Sequence, residues 1–190
     1  MPGPSEPIAT LRAVRIRAAS ESDMAAVRDI YAHYVLHSLA TFEETPPTLE
    51  EMLARRSASV ELGLPYLVAE AGGEIVGFAY AAAYRARPAY RFTIEDSVYV
   101  ADGLAGRGVG SALLGELIAC CEQGSWRQMV AVVGDSANSG SIALHRRLLL
   151  FEPCQRLLHG PDATPSRPCA RLAPRSLRGA SCRRTAGRRR

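Results

Sequence analysis

Apolar and polar residues change period several times along this chain, and each change marks an element. Residues 14–18 alternate Val-Arg-Ile-Arg-Ala and predict a first strand. From Met24 the apolar positions fall at helical spacing, at Val27, Ile30, Tyr31 and Tyr34, behind a Ser20-x-x-Asp23 capping box. A loop through Pro46 and Pro47 reaches a second box, Thr48-x-x-Glu51, opening a short helix expected to stop near Ser57. Residues 66–71 and 74–80 read as strands on either side of Gly72-Gly73, the strongest hairpin signal in the chain. A link at 84–90 leads to the β-formers Val98, Tyr99 and Val100, a central strand. Leu113, Leu114, Leu117 and Ile118 then lie on one face of a helix starting at Ser111. Residues 128–133 predict a short buried strand. Asn138 to Leu150 predict a last helix, with Ile142, Leu144, Leu148 and Leu149 apolar. The order β-α-α-β-β-β-α-β-α predicts an α/β or α+β sheet with helices on its faces.

The chemistry concentrates where the central strand gives way to its helix. Gly106, Gly108 and Gly110 crowd that turn, with Arg107 between the first two. A glycine-rich turn opening a helix leaves backbone N–H groups at the positive end of the helix dipole, a ready site for phosphate. Side chains there would hold a ligand away from the backbone. A Walker loop is excluded, because it needs a lysine and the chain has none. The dinucleotide fingerprint Gly-x-Gly-x-x-Gly does not fit either, since Gly115 comes too late.

Composition narrows the rest. A chain of 190 residues, 47% hydrophobic, has the size of one domain with a sizeable core. No apolar run has transmembrane length and no signal-peptide plan opens the sequence, so a cytoplasmic location with no membrane partner is expected. Five cysteines without Cys-x-x-Cys spacing argue against a disulfide framework and against a metal site. The net charge of +4 belongs to the last forty or so residues, which carry ten arginines against Glu152 and Asp162. The expected organisation is a loose leader over 1–13, a domain over 14–153 and an Arg-rich tail over 154–190.

Residues 105–110, Ala-Gly-Arg-Gly-Val-Gly, match Gln/Arg-x-x-Gly-x-Gly/Ala except at Ala105. That pattern resembles the pyrophosphate loop of the GNAT superfamily of acetyl-CoA-dependent N-acetyltransferases. Five further segments are similar to its phosphinothricin N-acetyltransferase branch, which includes the methionine sulfone and sulfoximine acetyltransferases. They are Thr-Phe-Glu-Glu from 41, Tyr-Arg-Ala-Arg-Pro-Ala-Tyr from 84, Thr-Ile-Glu-Asp-Ser-Val-Tyr-Val from 93, Val-Val-Gly-Asp-Ser-Ala-Asn from 132 and Ser-Ile-Ala-Leu-His from 141. The resemblance spans roughly residues 14 to 153. It implies a mixed central sheet flanked by helices, acetyl-CoA as co-substrate, no metal, and a small amino-acid analogue as acceptor. A homodimer is left open, and nucleic acid is not the expected partner.

The resemblance also implies roles. Glu95 matches the general base; on its own it reads as a solvated strand-end carboxylate. His145 matches a second catalytic residue, although a lone helical His is more often packed or solvated. Val98, Tyr99 and Val100 match the segment that pairs with the pantetheine arm. Gly106, Arg107, Gly108, Val109, Gly110 and Ser111 match the pyrophosphate loop. Asn138 matches a ligand-site residue, or is simply an N-cap. Arg85 and Arg87 stand where the family places cationic substrate contacts, the alternative being a solvated basic loop. Tyr90, Phe42 and Tyr80 match aromatic pocket residues, the last two equally readable as core. Strand alternation puts Glu95, Ser97 and Tyr99 on one face and Asp96, Val98 and Val100 on the other.

The likeness stops near Leu149. Leu-Leu-Phe-Glu-Pro from 149 is one residue longer than the Gly-Phe-Glu-Pro the family implies. The two closing strands expected after it have no counterpart. A shift of reading frame near codons 149–154 is the expectation, with impaired activity as its consequence. A basic arm for nucleic acid is the alternative, ranked second because the arginines are not interleaved with aromatics.

Overall fold

β1 (Arg15–Ala18), β2 (Tyr66–Ala71), β3 (Glu74–Ala83), β4 (Thr93–Val100) and β5 (Gln128–Ala131) form one sheet in chain order. This computed structural model describes residues 14–133 and 138–148. The leader, the tail, residues 149–150 and with them the two missing strands all lie outside the described residues. β1 to β4 pair antiparallel, and β5 joins β4 in parallel. The sheet is therefore mixed, as the resemblance implies.

The helices divide between the two faces. α1 (Met24–His37) and α2 (Leu49–Glu61) cover one. There Met24, Val27, Tyr31 and Met52 pack on Tyr66, Val68 and Phe78. α3 (Val109–Cys121) and α4 (Ser139–Leu148) cover the other. Leu113, Leu114 and Leu117 of α3 pack there on Leu67, Ala79, Ala81 and Ile94, with Leu144 and Leu148 of α4 alongside. α1 and α3 offer the sheet the apolar stripes their sequence periods predict.

Several boundaries differ from expectation for local reasons. α2 runs past Ser57 to Glu61 because its stop lies later. Leu64 N donates to Ser59 O and Gly63 N to Val60 O, both at 2.9 Å, with Gly63 at φ 72°. This is a Schellman closure, which needs the left-handed residue that glycine supplies. α3 begins at Val109 rather than Ser111, with Gly108 as N-cap, so Val109 and Gly110 belong to the helix. β4 begins at Thr93, two residues before Glu95, since pairing with β3 and β5 carries Ile94, and pairing with β5 Thr93, into the sheet. β5 ends at Ala131, two residues short of the expected Val133. The Thr48–Glu51 box forms as expected: Thr48 N donates to Glu51 Oε2 at 2.7 Å, and Glu51 N to Thr48 Oγ1 at 3.2 Å.

Candidate active site

The ladder between β4 and β5 covers only Thr93 to Asp96, whereas β4 continues to Val100. Beyond the Asp96–Ala131 pair, β4 has β3 on one side and no strand on the other among the described residues. Parity fixes which groups face that opening. Ala101 N donates to Val76 O and Tyr84 N to Thr93 O, so odd-numbered residues of β4 turn their backbone to β3. Val98 and Val100 therefore turn theirs into the opening. Val100 is already partly engaged there, its carbonyl accepting from the Tyr34 hydroxyl at 2.7 Å.

The glycine turn stands at the end of the same strand. Gly106 and Gly108 hold φ of 76° and 87°, and a Cβ on either would meet nothing within 4 Å. Their freedom serves the backbone path and leaves open space beside it. Gly110 differs: a Cβ there would lie 3.3 Å from Leu144 Cδ2 and 3.6 Å from Val100 Cγ2, so it allows close packing of α3, α4 and β4. The Gly108 carbonyl accepts from Ala112 N, while the amides of Val109, Gly110 and Ser111 form the first turn of α3 and lack intrahelical acceptors. A cradle of open backbone at a helix N-terminus, beside a free strand edge, fits a pyrophosphate followed by an amide-bearing arm. Arg107 is exposed at its rim.

Glu95 lies on the α1/α2 face of β4, with Tyr99. It is half-buried, and burial first, then the neighbouring Asp96 charge, raises its pKa, with Arg85 acting in the opposite direction. Tyr80 of β3 pairs across the sheet with Ser97, two residues beyond Glu95 on β4. Tyr80 stacks on Tyr66 with ring centroids 5.0 Å apart. Phe78, Tyr99, Tyr31 and Tyr34 extend this aromatic floor. Arg55 closes one side of it, donating to both carboxylate oxygens of Glu43 at 2.7 and 3.1 Å, while Tyr31 Oη donates to Glu43 at 2.9 Å.

His145 lies on the opposite face. It is buried under α4, with Nδ1 2.7 Å from the Ser141 carbonyl and Nε2 2.9 Å from Asp96 Oδ2. Glu95 and His145 are thus separated by the sheet. Asn138 caps α4, its Oδ1 accepting from Ser141 N at 3.0 Å and its carbonyl from Ile142 N at 3.1 Å. Arg85 and Arg87 are exposed on the β3–β4 link, Arg85 with its guanidinium 5.1 Å from the Tyr84 ring centre. Tyr90 meets Tyr84 edge-on at 5.5 Å. Phe42 is 76% exposed and packs into neither core cluster. Among the described residues no group of three His, Cys, Asp or Glu side chains converges as a metal site, and no helix is long and apolar enough to cross a membrane.

The structure adds residues that sequence reasoning passed over. Asp96 had a signal: alternation put a carboxylate among apolar neighbours, which demands a buried partner. Arg55 and Glu43 had none, because their meeting depends on how α2 folds back over the loop. The tyrosine floor is spread over α1, β2, β3 and β4 and has no local pattern.

Known proteins share this arrangement. The profile of the acetyltransferase (GNAT) family matches residues 24–149. The phosphinothricin N-acetyltransferase of Alcaligenes faecalis is 53% identical over 133 residues, 70% of this chain and 68% of that protein. The L-methionine sulfoximine/L-methionine sulfone acetyltransferase of Salmonella typhimurium is 38% identical over 133 residues, 70% of this chain and 77% of its own. The crystal structure of a GNAT superfamily phosphinothricin acetyltransferase from Sinorhizobium meliloti, in complex with acetyl-CoA, is 46% identical. It superposes with a TM-score of 0.68 over 71% of this chain and 73% of that one.

Proposed function

The chain belongs to the GNAT family of acetyl-CoA-dependent N-acetyltransferases, and we propose that it acetylates the α-amine of phosphinothricin, methionine sulfone, methionine sulfoximine or a similar amino acid. The observation that supports this best is the coincidence of three features on one strand. β4 carries a half-buried carboxylate, then a free backbone edge, then the glycine turn into α3.

Acetyl-CoA, when bound, supplies the activated carbonyl that the amine attacks. The amides of Val109, Gly110 and Ser111 would hold its pyrophosphate, with Gly106 and Gly108 keeping the approach clear and Arg107 at the rim. The backbone of Val98 and Val100 would order its amide-bearing arm along the free edge, Tyr99 between them having its own backbone turned to β3, with Asn138 at the start of α4 beside it. The Val98 N–H faces the opening and is a donor for the carbonyl oxygen as it gathers charge. Glu95 takes the ammonium proton, directly or through one water. Its raised pKa makes it a better base than an exposed carboxylate, and it is charged only above that pKa. Arg85 and Arg87 suit the acceptor's carboxylate and phosphinate or sulfone oxygens, because a guanidinium donates two parallel hydrogen bonds. Tyr80 and Tyr90 would line the acceptor's path, with Phe42 at its outer rim.

Thiol release from acetyl-CoA, followed for the full chain across a panel of these amino acids, tests the reading. Release that depends on the amine, with the acetylated amino acid as product, is expected. No amine-dependent release with any member of the panel would overturn it.

A further inference from the structure

Asp96 puts a carboxylate where β4 otherwise presents Ile94, Val98 and Val100 to the α3/α4 core. Its side chain has no solvent exposure. Oδ2 meets His145 Nε2 at 2.9 Å, and Oδ1 has no hydrogen-bond partner among the described residues. The Ser141 carbonyl can only accept, so His145 Nδ1 carries a hydrogen. A carboxylate oxygen only accepts, so a proton on Nε2 completes this contact and makes the ring cationic, the form that the Asp96 hydrogen bond and charge favour. Removing two charges from water and leaving one oxygen unmatched is costly, and an apolar pair would fill the same space without that cost. Packing alone does not account for the pair.

Its position offers a reason. Asp96 is the last residue of β4 to pair with β5, opposite Ala131, and the free edge begins immediately after it. His145 reaches Asp96 from α4. One residue earlier, Leu144 lies against Gly110 in the first turn of α3. α4 is therefore tied to the strand where the opening starts and rests on the helix whose N-terminus forms the phosphate cradle. We propose that Asp96 is a positioning residue for acetyl transfer: through His145 it pins α4 where β4 and β5 part, and so sets the width of the acetyl-CoA cleft. This rests on the reading of that opening as the acetyl-CoA site.

Few other titratable groups surround the pair. Cys121 of α3 has its thiol pushed up to about 12 by burial and stays neutral. Glu95 adjoins Asp96 on β4 but projects from the other face. Arg146 and Arg147 follow His145 on α4 and are exposed. The partners of Asp96 on β3 and β5 are Ala81 and Ala131. Burial alone would lower the pKa of His145, but the Asp96 hydrogen bond and charge outweigh it and raise the pKa. The tie is thus intact at neutral and lower pH, and it weakens as pH rises through the His145 value.

The test uses the full chain as wild type, Asp96→Ala and Asp96→Asn, measuring the acetyl-CoA dissociation constant from pH 6 to pH 9 and the Michaelis constants for both substrates. Asp96→Ala should weaken acetyl-CoA binding about tenfold or more and raise the Michaelis constant for acetyl-CoA more than that for the amine. Asp96→Asn can still donate to a neutral Nε2, so it should recover most of the affinity. Wild-type affinity should fall as pH rises through His145, and that of Asp96→Asn should stay flat beyond the cofactor's own titration. Should Asp96→Ala fail to fold, the pH dependence of the other two proteins decides alone. If wild type binds acetyl-CoA and Asp96→Asn shows the same affinity with the same pH dependence, the positioning role is wrong while the functional reading stands. A wild type that binds no acetyl-CoA at any pH overturns the functional reading first, and this proposal with it.

Discussion

Gly108 and Gly77 separate what the backbone needs from what a ligand needs. At Gly108, alanine meets no atom within 4 Å and pays only for the left-handed conformation at φ 87°. That strain is roughly 1–2 kcal/mol, offset by about 0.4–1 kcal/mol from a less flexible unfolded chain. The net loss of about 1 kcal/mol lowers the melting temperature by roughly 2–4 °C for a chain of this size. The new methyl group, however, enters the open space beside the glycine turn, which is where the pyrophosphate would lie. Losing one charge-assisted hydrogen bond there, worth about 1.5–3 kcal/mol, raises the acetyl-CoA dissociation constant by roughly ten- to a hundredfold. Gly77→Ala reverses the emphasis. Its Cβ would lie 2.9 Å from the Tyr99 carbonyl, 3.1 Å from Leu113 Cδ1 and 3.2 Å from Val109 Cγ1. A backbone oxygen cannot step aside, so overpacking should cost about 1–3 kcal/mol and up to roughly 10 °C in melting temperature. Thermal melts and calorimetric titration with acetyl-CoA, run well below both transitions, read the two effects apart. Gly108→Ala should lose more affinity and Gly77→Ala more stability. An acetyl-CoA affinity unchanged in Gly108→Ala would refute the placement of the pyrophosphate at this turn.

Other outcomes follow from the same geometry. Arg85→Ala and Arg87→Ala should raise the Michaelis constant of the amino acid severalfold and leave that of acetyl-CoA nearly unchanged; constants that move together would make both arginines structural. Arg17 donates to Asp23 Oδ2 at 2.7 Å and to Oδ1 at 2.8 Å, and this hydrogen bonding holds the Asp23 carboxyl well below the usual carboxylate range. A depressed pKa stabilises the fold above the unfolded value and fades as pH falls toward the folded one. Asp23→Asn should therefore melt lower than wild type at pH 7, by about 1–2 kcal/mol, and the difference should shrink below about pH 4. A difference independent of pH in thermal melts would assign the loss to the Ser20 turn rather than to the charge.

Much of the fold is written locally. The Gly72-Gly73 hairpin is legible because both glycines take positive φ, 64° and 90°, which few other residue pairs adopt. The glycine turn before α3 is legible for the same reason. What sequence left out depends on long-range packing. The strand β4 is legible from Glu95 on, but that β5 pairs with only its first half, ending at Asp96, follows from how the chain returns after α3. The separation of Glu95 from His145 follows from the strand alternation already read for β4, once α4 is placed on the α3 side. Arg55 reaching Glu43 depends on the path of the loop before α2, which no local pattern encodes.

The proposed acetyl transfer depends most on Glu95 as the group that takes the proton. Its decisive measurement is the pH dependence of kcat/KM for the amino acid, with acetyl-CoA saturating, in wild type and Glu95→Gln. Wild-type rates should rise with pH along an acid limb set by a carboxyl whose pKa burial has raised. Glu95→Gln keeps the shape and removes the base, so it should lose that limb and be slower by on the order of a hundredfold or more. A variant that keeps both the limb and the wild-type rate would contradict the account and move the proton transfer to another group.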